Sequence, residues 1–372
     1  MPKRILNSTP KQDGFRMPGE FEPQEKIYML WPERPDNWRD GAKPAQKAFA
    51  EVARAIRWFE PVTVLASPEQ FQNCRNILPP EITVIEMTSN DAWVRDCGPS
   101  FLVNDNGMLR ACDWKFNAWG GLTNGLYFPW DQDDLVARKI CELENADSYR
   151  TEDFVLEGGS IHVDGEGTVM TTEMCLLNAG RNPSMSKEQI EEKLKSYLNC
   201  SKALWIPNGI DQGETNGHVD DIACFIRPGE AACIYTEDKQ HPFYTVSQEV
   251  YHTLSGMTDA RGRTLKVHKI CCTKYPVTIP EHFCIDQVEG SKPRNTGDLC
   301  IASYLNFLIV NGGVIVPQYD DENDRMALEQ IQELFPERSV TGVQTKEIVY
   351  GGGNIHCITQ QVPKAITTAN SH

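Results

Sequence analysis

Glu157-Gly158-Gly159-Ser160-Ile161-His162 and Gly351-Gly352-Gly353-Asn354-Ile355-His356, the second followed by Cys357, are two copies of one short pattern. Glycines lack a Cβ, so they reach backbone angles closed to other residues and let a second group come close. The apolar residues on either side predict a strand–glycine–strand unit, with short buried strands over 348–350 and 355–358 in the later copy. A lone cysteine behind a glycine turn is ordinarily structural. Here one copy of the unit carries a carboxylate and the other a thiol, which points to a shared site.

Working outward from these copies, the same theme recurs: a strand, a polar or glycine-rich turn, a hairpin, then a helix and a further strand. Strands are expected near 62–66, 82–87, 161–163, 168–172, 203–206, 222–227, 231–235, 265–270 and 340–343. Helices are expected over 44–59, 68–78, 134–143, 186–198, 243–254 and 324–334. The first helix shows an apolar stripe of Phe49, Val52, Ala53, Ile56 and Trp58. Ser186 is placed to cap the 186–198 helix. Units starting near Ile82, Phe154, Ala203, Ser303 and Ile348 give about five repeats, unevenly spaced. Repetition on this scale predicts radial or barrel-like closure of an α/β chain, with the loops converging on one axis. Proline, glycine and charge are spread evenly, so one domain over 1–372 is expected.

Composition narrows the function classes. The 372 residues carry a net charge of −16, which argues against nucleic acid as the main partner. The polar N-terminus lacks the apolar core of a signal peptide, and no apolar run approaches the ~20 residues that cross a bilayer, so a cytoplasmic protein is expected. Thirteen cysteines without a C-x-x-C pair do not read as a disulfide framework or a structural zinc site. Cys97, Cys175, Cys224 and Cys300 lie in apolar runs and are expected to be small core residues; only Cys357 has a glycine-built setting.

The polar residues on the converging turns are Trp93, Asp96, Glu157, Glu214, His218, Asp220 and Cys357, with Trp119 on a neighbouring loop. A cysteine–histidine pair supplies a nucleophile and a proton carrier. The surroundings are rich in carboxylates, so the group under attack should be cationic. A guanidinium fits, because its planar N–H fork pairs with carboxylates. Bland readings exist for each residue taken singly: His218 as a turn histidine, Asp96 paired with Arg95, Asp220 as a turn cap, the tryptophans as core. His162 and His356 hold matching places in the two copies and are expected to point into the structure.

Taken together, Trp93-Val94-Arg95-Asp96, Glu157-Gly158-Gly159, Gly217-His218-Val219-Asp220 and the terminal Gly-Gly-Gly-Asn-Ile-His-Cys resemble the guanidino-modifying superfamily, and within it the agmatine deiminase family. The resemblance spans almost the whole chain. It implies a five-bladed, pseudo-symmetric α/β propeller and hydrolysis of agmatine without a metal or organic cofactor. Cys357 would attack the guanidinium carbon and His218 would carry protons. Asp96 and Asp220 would clasp guanidinium nitrogens, with Glu157 on a further nitrogen or orienting His218. Trp93 and Trp119 would pack the substrate, and Glu214, with no arginine evident beside it, would receive the distal amine. The expected partner is a small cationic guanidino compound; self-association stays open. Alternatives are an arginine or peptidyl-arginine deiminase or amidinotransferase with the same site, a zinc hydrolase using His218, Asp220 and Cys357, and a non-catalytic polyamine binder.

Overall fold

Short apolar runs bounded by turn residues become sixteen strands among the residues that the structure, a computed structural model, describes: 4–211 and 213–367. They form five separate sheets. The first joins β1 (Gln24–Leu30), β2 (Val62–Ala66), β3 (Thr83–Glu86) and the last strand, β16 (Gln360–Pro363), in the order β16-β1-β2-β3. The others are β4 (Ser100–Val103), β5 (Leu109–Lys115) and β6 (Asp147–Val155); β7 (Ile161–Val163), β8 (Thr168–Thr172) and β9 (Lys202–Ile206); β10 (Ala223–Arg227), β11 (Glu230–Tyr235) and β12 (Lys266–Cys271); and β13 (Leu308–Val310), β14 (Gly313–Gln318) and β15 (Ser339–Gln344).

Each sheet repeats one rule. Its first strand is antiparallel to the second, and the second is parallel to the third. The parallel step needs a crossover, and helices supply it: Lys43–Ile56 between β1 and β2, Val136–Leu143, Lys187–Leu198, Tyr244–Ser255 and Asp324–Leu334 in the other four units. The first strands pack on one another, β16 on β4 and β7 on β10. Pairing of β16 with β1, Ile27 opposite Gln361, ties the C-terminal segment into the first sheet. The result is the expected five-unit, pseudo-symmetric α/β propeller and not a closed barrel, because among the described residues no ladder runs from one sheet into the next.

Local chemistry explains the elements. Ser186 Oγ accepts from Gln189 N, and the Gln189 side chain accepts from Ser186 N at 2.8 Å, a capping box that starts the Lys187–Leu198 helix. All five residues of β2 are buried, as a strand covered on both faces requires. Burying each Val or Leu there is worth roughly 1.5–3 kcal/mol. Four expectations fail. The unit starts expected near Ile82 and Ala203 fall at β3 and β9, the last strands of the first and third sheets. Residues 346–349 form a short helix and 355–358 a turn, so the cysteine unit is helix–glycine–turn, and its strand begins only at Gln360. Trp58 is 74% exposed, because the Lys43–Ile56 helix ends two residues before it; Arg57 stacks on its ring instead.

Candidate active site

Five turns, each leading into the first strand of a unit, meet at one end of the axis. They carry Asp96 ahead of β4, Glu157 ahead of β7, His218 and Asp220 ahead of β10, Asn306 ahead of β13 and Cys357 ahead of β16. A side chain just before a central strand projects from the rim of the ring, so the repeat itself brings these groups together.

The geometry is closely knit. Cys357 Sγ lies 3.8 Å from Asp220 Oδ2 and 3.3 Å from Asn306 Nδ2. His218 Nδ1 is 3.9 Å from both Asp96 Oδ1 and Asp220 Oδ1, and its Nε2 is 3.5 Å from Glu157 Oε2. All five expected catalytic side chains are buried. Trp119 Nε1 donates to Asp96 Oδ2 at 2.8 Å, and Trp93 Nε1 donates to Asp91 at 2.9 Å while its ring stacks on Trp38. Trp93, Asp96, Trp119, Glu214 and Cys357 line one cleft of about 460 Å³ with Gly351, Gly352 and Gly353.

Glycine at 159 is required by contact. A Cβ there would lie 2.7 Å from His218 Nδ1 and 2.9 Å from both Asp220 Oδ2 and Asp96 Oδ1, while its N–H donates to Asp96. Gly159→Ala should therefore push three site groups apart and lower kcat on the order of 10²-fold, with a smaller change in Tm. Parallel loss of secondary structure by circular dichroism would show a folding defect instead. At Gly353 a Cβ would meet the Trp93 ring at 2.5 Å and Cys357 Sγ at 3.1 Å, so the thiol and the indole share the space that glycine leaves.

The charges are set by burial and by one another. Burial, with Asp220, Asp221 and Asp96 nearby, pushes the Cys357 thiol well up, so it keeps its proton while the site is empty. Burial works against the His218 imidazolium, yet Asp96 above all, with Cys175 and Glu157, holds its pKa well above the usual range. Asp96 is lifted by burial despite His218, and Asp221 is lifted well above a normal carboxyl by burial and Asp220. Burial would raise Glu157 too, but Arg181 and His218 hold it below its usual range. Acids thus crowd around the thiol and the imidazole, while Arg34, Lys292 and Arg294 line the outer part of the cleft.

Several residues of this site are not evident from sequence. Arg181 Nε lies 2.7 Å from Glu157 Oε1 with both side chains wholly buried, and its other nitrogens donate to the Trp119 and Thr215 carbonyls and to Asn216 Oδ1. Asn306 touches the thiol and also donates to Asp221 at 3.0 Å. Glu214 has the arginine that sequence did not reveal: Arg294 at 2.7 Å and Lys292 at 2.8 Å both pair with it. Glu214 is therefore not a free anionic receptor but the shared counter-charge of two cations at the mouth. The three residues of the zinc reading fall in two separate clusters among the described residues, Cys357 and Asp220 with Asp221, and His218 with Glu157 and Cys175.

Fold and site together place one thiol, one imidazole and several carboxyls at one end of five repeated α/β units. Residues 16–363 match the Porphyromonas-type peptidyl-arginine deiminase family, and the chain belongs to it. Within that family it is similar to a solved structure described as the agmatine deiminase of Enterococcus faecalis catalysing its reaction, at 70% identity over 98% of this chain and all of that one, with a TM-score of 0.97. The agmatine deiminase of Pseudomonas aeruginosa is 54% identical over 96% of this chain and 97% of its own. A C. jejuni agmatine deiminase with substrate bound shares 26% identity over 95% of this chain and 97% of that one, at a TM-score of 0.81. Among the described residues no helix is long and apolar enough to cross a membrane.

Proposed function

We propose that the protein is an agmatine deiminase, hydrolysing agmatine to N-carbamoylputrescine and ammonia through an amidino thioether on Cys357. The observation that carries this reading is the buried meeting of one thiol, one imidazole and the carboxyls of Asp96, Glu157 and Asp220 within a few ångströms.

The chemistry follows from the charges. A guanidinium entering between Asp96 and Asp220 adds positive charge beside the thiol, offsets the acids that oppose its ionisation, and so lets Cys357 release its proton to solvent. The thiolate then forms a C–S bond to the guanidinium carbon. His218, held as the imidazolium, gives its proton to the departing nitrogen, which leaves as ammonia. The neutral imidazole takes a proton from water as the hydroxyl adds to the same carbon. The C–S bond breaks, the sulfur leaves as thiolate, and transfer of the remaining hydroxyl proton to that sulfur restores the thiol and gives the carbamoyl product. Glu157, fixed by Arg181, keeps the His218 ring turned toward the reacting carbon. Trp93 and Trp119 wall the alkyl chain.

Selectivity for agmatine over arginine falls to the mouth. A carboxylate on the substrate would have to compete with Glu214 for Arg294 and Lys292, which are already paired. Glu214→Gln leaves both cations without their shared counter-charge, and the free ammonium of agmatine meets them uncompensated. It should lower kcat/KM for agmatine about tenfold or more while changing an uncharged alkylguanidine of similar length only a few-fold. Equal losses on the two substrates would show that Glu214 does not act on the amine. A gain in rate with arginine in the variant would agree with Glu214 withholding the two cations from a substrate carboxylate.

We read the chain over 1–372 as one domain, acting in the cytoplasm on a small cationic substrate without a metal or organic cofactor. Comparing ammonia release from agmatine, arginine and a peptidyl-arginine analogue tests the function. Agmatine should be preferred by at least about a hundredfold, and comparable rates with arginine would overturn the assignment.

A further inference from the structure

Behind the site, away from the cleft, lies a chain of buried ionisable groups that meets the mechanism above only at Asp220. His356 Nδ1 is 2.8 Å from Asp220 Oδ2, and His356 Nε2 is 2.8 Å from Glu20 Oε2. Glu20 belongs to the segment before β1, so the link joins the first unit to the fourth. Its other oxygen accepts from Ile309 N at 2.9 Å. His356 is fixed from both sides: its backbone N–H donates to Asn306 Oδ1 at 3.0 Å, its carbonyl accepts from Arg95 Nε at 3.2 Å, and its ring stacks against His162 at 6.3 Å. Asp220 Oδ1 is buried without a hydrogen-bond partner. Oδ2 is thus held from behind by His356 while meeting the Cys357 thiol at 3.8 Å, and Oδ1 is left bare beside His218.

We infer that His356, clamped and charged by Glu20, is a positioning residue for Asp220: it selects which carboxylate oxygen faces the guanidinium and offsets the charge Asp220 places on the Cys357 thiol. This rests on the deiminase reading of Asp220. With both carboxyls held low and ionised, each ring nitrogen needs a proton to donate to the oxygen it meets. The electrostatics agree. His356 is pulled down by burial and by Arg95, but Glu20 and Asp220 raise it above its usual range overall. Glu20 is held down at about 2, chiefly by His356 against the cost of burial, and Asp220 is lowered by His356 as well. His162 stays neutral beside them, depressed by burial to about 4. The charged and titratable groups around His356 are therefore Glu20, Asp220, Asp221, Arg95 and His162; Glu20 and Asp220 favour its charge, and Asp221, itself lifted well above a normal carboxyl, adds little.

Glu20→Gln separates charge from shape. The amide oxygen can keep the Ile309 N–H, and its NH₂ can donate to Nε2 of a neutral His356 that still donates from Nδ1 to Asp220. Removing the anion lowers the pKa of His356, so the variant loses the imidazolium at a pH where the wild type keeps it. The wild-type to variant ratio of kcat/KM for agmatine should be within about threefold near pH 5.5 and grow to about tenfold or more near pH 8.5. Glu20→Asp, which keeps the charge, should restore the wild-type ratio. A ratio constant with pH would mean that Glu20 only supports the fold and would overturn the inference. Histidine ¹⁵N NMR of the substrate-free protein gives an independent reading. At pH 8 the wild-type His356 ring should carry protons on both nitrogens and the Glu20→Gln ring on one. A neutral wild-type ring, or a variant ring that stays charged, would equally overturn it. Because the ring is read without substrate, such a result is distinct from failure of the deiminase assignment.

Discussion

Cys357→Ser should lower kcat for agmatine by on the order of 10⁴-fold or more while leaving Tm within a few degrees, because a hydroxyl near neutral pH is a far poorer nucleophile than a thiolate. The substitution changes one buried atom. Sγ packs within 3.3 Å of Asn306 Nδ2 and 3.8 Å of Asp220 Oδ2, contacts that a hydroxyl can keep. Substrate binding should therefore survive, and isothermal titration should give a Kd for agmatine within about tenfold of the wild-type KM. Retained turnover would remove the covalent step. Loss of binding together with turnover would mean that the variant pocket has rearranged.

His218→Ala should be nearly as damaging, for a different reason. The imidazole serves both halves of the reaction, first as the acid that releases ammonia and then as the base that takes a proton from water. General acid–base catalysis is worth about 10²–10⁴-fold per step, and the loss should fall on kcat. Alanine also leaves Asp96, Asp220 and Glu157 without the cation between them. Their mutual repulsion should then draw the guanidinium more strongly, so KM should stay level or fall. A variant that forms its adduct at the wild-type rate and stalls only at hydrolysis would assign the first proton to another group. A rise in KM with kcat unchanged would make His218 a binding residue.

The fold was legible because it repeats. The echo between 157–162 and 351–356 led to five units, and the structure has five sheets under one strand rule. The same repeat could have revealed Asn306. A unit start at Ser303 was evident, and the polar residue just before the next central strand is Asn306, where the other units place Asp96, Glu157, Asp220 and Cys357. Periodicity misled at 346–350, where Ile348, Val349 and Tyr350 are buried like a strand but wind into a turn of helix ahead of the glycines. The partners of the site were hidden for a simpler reason. Arg181, Arg294, Lys292 and Glu20 come from segments far along the chain from Glu157, Glu214 and His356, and local sequence carries no sign of pairings made by the fold. Glu214 shows the consequence: read alone it was a free acid, and in place it balances two cations.

The central claim is a covalent bond between Cys357 and the substrate carbon. Acid quenching of the protein during turnover of agmatine, followed by peptide mass spectrometry, tests it directly. The peptide containing Cys357 should gain the mass of agmatine less ammonia, and the modified fraction should rise in a variant slowed in hydrolysis. An unmodified Cys357 peptide throughout turnover, or the same adduct on another of the thirteen cysteines, would contradict the account.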